Sequence, residues 1–245
     1  MIEKAEALVL RRKEFRETSL LLTLFTREHG KINGLAKGVR LPLTRWGSNF
    51  PLFSHNLILF YPRRGISLVT EAELLDDFSE RFAPFSRHLF ASYLAELVDL
   101  ILPLEDKNEP LFNLFLKVFF LLGEGKEPEQ LVRIFEIKLL QLSGFSPRID
   151  TCLRCQKEIT RSAYFSHRRG GLLCLHCGSS DKYTSDLQPG TISTLRYILH
   201  APGEEIFRRL RMGGVIKKEL RTILSKFLSY HLETLPRSLL PIARH

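Results

Sequence analysis

SLLLTLFTREHGKINGLAK, residues 19–37, decides how the chain begins. Residues 19–25 and 31–37 are short apolar or alternating runs, and Glu28-His29-Gly30 between them is a turn signal. The stretch therefore predicts two strands joined by a tight connection. Similar runs at 7–11, 56–61 and 66–73 surround it, the last two joined by Pro62-Arg63-Arg64-Gly65. Five short strands within about 75 residues would leave exposed edges in an open sheet, so a small closed barrel is favoured. A barrel of this length is most simply an oligonucleotide-binding (OB) type, with an SH3-like barrel as the alternative that strand count leaves open.

Beyond residue 80 the period changes. Phe85, His88, Leu89, Ser92, Tyr93, Glu96, Leu97 and Ile101 recur at spacings of three and four, which predicts a helix ending before Pro103. A second helix is expected over 109–122, with Pro110 suited to its first turn and Gly123 to its end. A third runs over 128–143 and stops at Gly144. Helical patterns return at 191–199, 204–210 and 215–235, the last ending at Pro236.

Every cysteine lies between these two helical groups, in CLRCQKEITRSAYFSHRRGGLLCLHC, residues 152–177. Two Cys-x-x-Cys pairs separated by eighteen residues have the spacing of a zinc site. Each pair aims two sulfurs at one point, and four thiolates complete a tetrahedron with no open position for water or substrate. Cys152, Cys155, Cys174 and Cys177 are therefore expected to hold one structural zinc ion. A redox role would require a thioredoxin-like setting that neither pair has. His167 and His176, inside the segment, are read as solvated. The fold expectation is an α+β multi-domain chain: an OB-type β-barrel over 1–80, an all-α domain over 81–150 and 183–245, and a four-cysteine zinc module inserted at 151–182.

With 44% hydrophobic and 26% charged residues the composition is that of a globular protein. The most apolar run, 111–122, is too short to span a bilayer. The N-terminus MIEKAEALVL has acids where a signal peptide needs bases, which places the expected location in the cytoplasm. Thiols stay reduced there, which also favours metal over disulfides.

The formal charge is +9, and four zinc-bound thiolates would lower it to about +7, still suited to a polyanionic partner. Segment by segment the balance is +2 over 1–80, −2 over 81–150, +3 over 151–195 and +6 over 196–245. From His29 to Thr70 there are six basic residues (Lys31, Lys37, Arg40, Arg45, Arg63 and Arg64) and no acid. Trp46, Phe50, Phe53, Phe60 and Tyr61 share this window. Cations interleaved with aromatics suit a single-strand groove, since rings stack on bases while cations follow phosphates. Phe53 and Phe60, within apolar runs, are expected to fill the barrel. Trp46 follows Arg45 in a loop and is a stacking candidate, with packing on the barrel end as the alternative. Arg168 and Arg169, between the cysteine pairs, could add a second hand to DNA or could offset the charge of the metal site.

Signs of catalysis are few. There is no Gly-x-x-x-x-Gly-Lys-[Ser/Thr], Gly-x-Gly-x-x-Gly, Gly-x-Ser-x-Gly or His-Glu-x-x-His pattern. Asp76-Asp77 and Glu105-Asp106 read as solvated pairs. A binding protein without turnover is expected, with a zinc-dependent nucleic-acid-processing enzyme or a zinc-finger transcription regulator as the alternatives.

Four stretches, ALVLRRKEFRETSLLLTLFTREHGKINGLAKGVR, PLFSHNLILFYPRRGISLVTEAELLDDF, YLAELVDLILPLEDKNEPLFNLFLKVFFLLGEG and FEIKLLQLSGFSPRIDTCLRC, closely resemble RecO, the family of bacterial recombination and repair mediators. The likeness runs from about residue 5 to about 178 and returns at LSYHLETLPRSLL. It implies an OB domain, a helical domain, and a zinc module in those members that keep the four cysteines. It further implies binding of single- and double-stranded DNA and annealing of complementary strands. The implied partners are RecR, the C-terminal tail of the single-stranded DNA-binding protein (SSB) and, indirectly, the RecA recombinase loaded onto SSB-coated strands. The implied setting is the bacterial cytoplasm, at the nucleoid during repair. In the Ala-Lys-Gly-x-Arg segment, Lys37 and Arg40 occupy the positions the resemblance assigns to DNA. Composition alone adds Arg45, Trp46, Arg63, Arg64, Arg168 and Arg169.

Overall fold

The computed structural model describes residues 1–41, 46, 50–82, 84–201, 203, 205–232, 236 and 238. The chain forms two compact units, Met1–Lys126 with Pro236–His245, and Glu127–Leu235.

The first unit is built on five strands, β1 (Glu3–Phe15), β2 (Ser19–Thr26), β3 (Gly30–Ala36), β4 (Ser54–Tyr61) and β5 (Ser67–Asp77). They close into a barrel in the order β1-β2-β3-β5-β4. β1 pairs with both β2 and β4, and a short parallel pairing of Gly34, Leu35 and Ala36 with Ser67, Leu68 and Val69 seals the seam. This is the OB order rather than that of a simple meander. Alternation puts Leu20, Leu22 and Leu24 of β2 inside with Ala5, Ala7, Val9, Ile58, Phe60 and Val69. Register shifts at Val9/Arg11 in β1 and, in β5, between Glu71 and Val69 and between Asp76 and Leu74 bend the strands enough to close the barrel. β1 pairs with β4 only as far as Leu8, and from Arg11 to Phe15 it pairs with β2 alone. Beyond Leu8 it therefore continues as a two-stranded ribbon.

Helices α1 (Phe85–Ile101) and α2 (Glu109–Gly123) belong to the same unit. α2 begins at Asn108, whose side chain accepts the Leu111 N–H at 3.1 Å. Its apolar face meets the barrel through rings, with Phe25 of β2 5.5 Å from Phe112 and 6.4 Å from Phe115. Phe60 lies in the barrel core as expected. Phe53 does not: it packs against Phe82 and Phe119 at 5.6 and 5.7 Å, because the left-handed backbone at φ 69° turns it out of the strand alternation. Lys31 is buried and directs its ammonium to the backbone carbonyl and carboxylate of Asp99 on α1, so one of the six cations is engaged within the fold.

The second unit contains α3 (Pro128–Leu142), α5 (Pro189–His200), α6 (Glu205–Arg209) and α7 (Gly214–His231). α5 and α7 both pack on α3, whose residues from Leu131 to Leu140 are almost all buried. Within α3, Arg133 and Glu136 form an ion pair at 2.7 Å with both side chains fully enclosed. Between α3 and α5 lies an antiparallel sheet of β6 (Ala163–Ser166), β7 (Gly171–Leu173) and β8 (Thr184–Leu187), ordered β7-β6-β8, with the one-turn helix α4 (Leu175–Gly178). Among the described residues no helix is long and apolar enough to cross a membrane.

Candidate metal centre and nucleic-acid interface

The first Cys-x-x-Cys is a knuckle at the head of a miniature hairpin. The Cys152 N–H donates to the Lys157 carbonyl at 2.8 Å, and the Cys152 carbonyl accepts the Gln156 N–H at 2.9 Å. Gln156 makes this turn in the left-handed region, at φ 63°. The second pair is set by α4, with Cys174 at its N-cap and its carbonyl accepting the Gly178 N–H at 2.9 Å. Gly178 is required there, since a Cβ would lie 2.4 Å from the Tyr164 ring. The Leu153 N–H donates to the Leu172 carbonyl at 2.8 Å and ties the two pairs together. Beneath them Arg196 of α5 donates to the carbonyls of Ile149 and Ile159, at 3.1 and 2.7 Å.

The four sulfurs therefore converge, all lying within 4.8 Å of one another. Cys155 Sγ and Cys174 Sγ are 3.9 Å apart, close to the edge of about 3.8 Å in a tetrahedron with metal–sulfur bonds of about 2.3 Å. Among the described residues this is the group of side chains able to share a metal ion. As free thiols the four are unequal. Burial, reinforced by the neighbouring thiols, pushes Cys177 up to about 12. Cys152 is drawn down to about 6 against the effect of its own burial, by the N–H groups of Cys155, Cys174 and Arg154. A bound dication favours the thiolate at each position and so removes the disparity. The donor set fits a metal ion, and its four sulfurs fill a tetrahedral shell.

His167 corrects the solvated reading: it is buried, its Nε2 3.1 Å from Ser185 Oγ, and burial and the Lys226 charge hold its pKa below the ordinary histidine value. His176 is exposed on α4.

The candidate DNA residues fall in two places. On the barrel, Phe15 pairs with Ser19, Leu20 with Ala36, and Gly34 with Ser67. These registers bring the β1–β2 tip, the exit of β3 and the β4–β5 loop to one end. Lys37, Arg40, Arg63 and Arg64 are exposed there. Arg40 is anchored, its N–H donating to the Thr18 carbonyl at 3.1 Å and its guanidinium 3.0 Å from the Glu14 carboxylate. Composition passes over Arg12, Lys13 and Arg16, which are exposed on the ribbon at this same end. Their signal is the basic run Arg11-Arg12-Lys13, masked by Glu14 and Glu17 beside it. Trp46 is half-buried, its ring edge-on to Phe50 at 5.8 Å. It also lines a cleft of about 450 Å³ with Lys4, Leu57, Leu59, Glu71 and Glu73. Arg45 lies outside the described residues. Arg168 and Arg169 are exposed on the β6–β7 turn, in the second unit. Of the carboxylate pairs, Asp76 takes a two-pronged contact from Arg81 at 2.7 and 3.2 Å, and Asp77 accepts the Ser79 N–H at 2.9 Å.

A closed five-stranded barrel of OB order, followed by helices that carry a four-thiol clamp, defines a class of multi-domain protein with a potential metal centre. The chain belongs to the RecO family. The family profile "Recombination protein O N terminal" matches residues 1–78 and "Recombination protein O C terminal" matches residues 85–240. The chain is similar to the DNA repair protein RecO of Pelotomaculum thermopropionicum, 34% identical over 94% of this chain and 89% of the relative. It is 30% identical to the DNA repair protein RecO of Alkaliphilus metalliredigens over 100% of this chain and 99% of that one. A third relative of the same description, from Caldicellulosiruptor saccharolyticus, is 29% identical over 94% of this chain and 93% of its own length.

Proposed function

We propose that this chain is a mediator of recombinational DNA repair that binds single- and double-stranded DNA, anneals complementary strands and has no catalytic turnover. The observation that carries this reading is the gathering of Lys37, Arg40, Arg63, Arg64, Arg12, Lys13 and Arg16 at one end of an OB-type barrel in a RecO-family chain. Cations at the barrel end neutralise phosphates, and neutralising two strands at once removes the repulsion that keeps complementary bases apart.

In this reading the partners are RecR, the tail of SSB and, through them, RecA, and the setting is the bacterial cytoplasm at the nucleoid. Zinc is the metal that best suits four cysteines in closed geometry. Cys152, Cys155, Cys174 and Cys177 would hold it, and it would supply a cross-link rather than a reactive site. The engagement of Asp76 and Asp77 within the fold supports a binding role over metal-ion hydrolysis.

The test is a salt titration of single-strand binding beside annealing and nuclease assays. With about five cations on phosphates, log K should fall with log[salt] at a slope of roughly −3 to −4. Lys37→Ala with Arg40→Ala should flatten that slope. An unchanged slope and affinity would remove the barrel end from the DNA site, and cleavage sensitive to chelator would replace the mediator with an enzyme.

A further inference from the structure

Three segments of the second unit meet around the turn that carries Arg168 and Arg169. The turn is closed by the Gly170 N–H donating to the Ser166 carbonyl at 2.9 Å. The Asp181–Tyr183 segment is joined to it, the His167 N–H donating to the Tyr183 carbonyl at 2.9 Å. The end of α7 is joined as well, with His231 Nε2 3.2 Å from the His167 carbonyl. Gly170 sits so near α7 that a Cβ would come within 3.0 Å of the Phe227 ring. Residues far apart in sequence are thereby fixed side by side.

This convergence presents two aromatic faces. Tyr183 and Tyr230 are 56% and 48% exposed, although their ring centroids are only 6.4 Å apart and their planes meet at 61°. Tyr93, by contrast, is fully buried. Two rings that brace each other edge to face, yet keep about half their surface in water, have the form of a platform rather than of core filling. Arg168, Arg169 and Lys182 are exposed around them. Among the described residues none of these three cations is in an ion pair. Two acids are nearby. The Asp181 carboxylate is occupied, accepting the Tyr183 N–H at 3.0 Å and facing the Ser166 hydroxyl at 3.4 Å, while Asp186 is exposed on β8. Lys226 on α7 is exposed and donates to Ser185 Oγ at 3.1 Å.

We infer that Tyr183 and Tyr230, with Arg168, Arg169 and Lys182, form a second single-stranded DNA site, separate from the barrel, in which the tyrosines stack on bases and the cations hold phosphates. The inference rests on the mediator reading and deepens it. A protein that anneals two strands gains from holding each on its own surface, and flat rings accept any base. It also gives the cysteine clamp a task, since β6 and β7, which carry the Arg168-Arg169 turn, lie between the two Cys-x-x-Cys pairs in sequence.

The full-length protein, with its metal, is tested against an oligothymidylate that carries 5-iodouracil, a base that photo-cross-links to stacked aromatic rings. Cross-linked peptides containing Tyr183 or Tyr230 are expected. Tyr183→Ala with Tyr230→Ala should weaken single-strand binding by about tenfold or more, while the paired Tyr→Phe changes keep it. Metal content and melting temperature report whether each variant is folded. Should the Ala pair be folded and bind like wild type, with cross-links only on barrel peptides, the second site is refuted. The mediator reading would survive that result so long as Lys37→Ala with Arg40→Ala still weakens binding. A wild-type protein that binds no oligonucleotide even at low salt would overturn both.

Discussion

Arg196 of α5 donates to the carbonyl of Ile159 at 2.7 Å, and the same nitrogen reaches Ile149 at 3.1 Å. One guanidinium thus bridges the two chain segments that flank the first cysteine knuckle, though it touches no sulfur. Groups that hold metal ligands from behind typically change metal affinity by about 10- to 100-fold when removed. Arg196→Ala is therefore expected to speed metal loss to a chelator about tenfold, with the four cysteines intact. Both bonds come from one nitrogen, and a lysine ammonium also carries several N–H donors, so Arg196→Lys should keep part of the hold that Arg196→Ala loses.

Removing a ligand outright should do more. Cys174→Ala leaves three sulfurs and an N-cap position without its thiolate. The metal should be lost and the melting temperature lowered by about 5–10 °C, the shift that a loss of a few kcal/mol gives in a chain of this size. Metal analysis beside a thermal melt checks it. Retained metal with an unchanged melt would contradict the cross-linking role.

Glu14 sits 3.0 Å from the Arg40 guanidinium, with 66% of its side chain exposed. An ion pair so open contributes only about 0–1 kcal/mol to folding. Glu14→Gln should thus leave stability unchanged while releasing Arg40 for phosphate. Single-strand binding should tighten with its salt slope little changed, because Arg40 is already one of the cations counted at the barrel end. A flatter slope would mean that Glu14 helps to place Arg40 rather than to occupy it.

Arg133 and Glu136 are fully enclosed in α3 and 2.7 Å apart. Arg133→Met leaves a buried carboxylate without its cation and should cost about 3–5 kcal/mol in denaturant unfolding. Replacing both partners, as Arg133→Met with Glu136→Leu, should restore most of that loss. A double variant no better than the single one would mean that the pair does more than neutralise itself.

Burial lowers the pKa of both His55 and His167, in His55 against the opposing pull of Glu6. A histidine with a depressed folded-state pKa stabilises the fold while neutral. That contribution is complete above the unfolded value of about 6.5 and is lost as pH falls below it. Stability should therefore decline from pH 7.5 to pH 5.5, by at most about 1.4 kcal/mol per pH unit for each histidine. His167→Gln should make the decline shallower, and an equally steep curve in that variant would clear His167 of any part in it.

Much of the fold is legible in the sequence because its elements carry strong periods and clear stops. The helix expected from Phe85 to Ile101 spans those residues, and the five barrel strands differ from expectation only at their ends. Strands β6 to β8 are hidden because AYFS, GLL and TSDL are three or four residues long, too short to show alternation. The outward turn of Phe53 is equally hidden, since a left-handed phenylalanine breaks the rule by which a strand is read. The cysteine clamp announces itself through spacing alone. Its support by Arg196 does not, because a side chain that caps carbonyls leaves no mark in sequence. Tyr183 and Tyr230 lie apart in the chain, and only the fold brings their rings together.

The clamp also has a consequence for how the second unit assembles. α3 ends at Leu142, α5 begins at Pro189, and the two helices must find each other across everything between. A metal that joins Cys152 to Cys177 shortens that tether before the helices meet. Each halving of a flexible loop lowers the entropy cost of closing it by only about 0.6 kcal/mol, so the aid to equilibrium stability by this route is slight. The aid to order is larger. Cys177 must leave the ribosome before the clamp can close, and α7, which packs on β8, follows it, so a bound metal would set the start of the small sheet in place before that helix has been made.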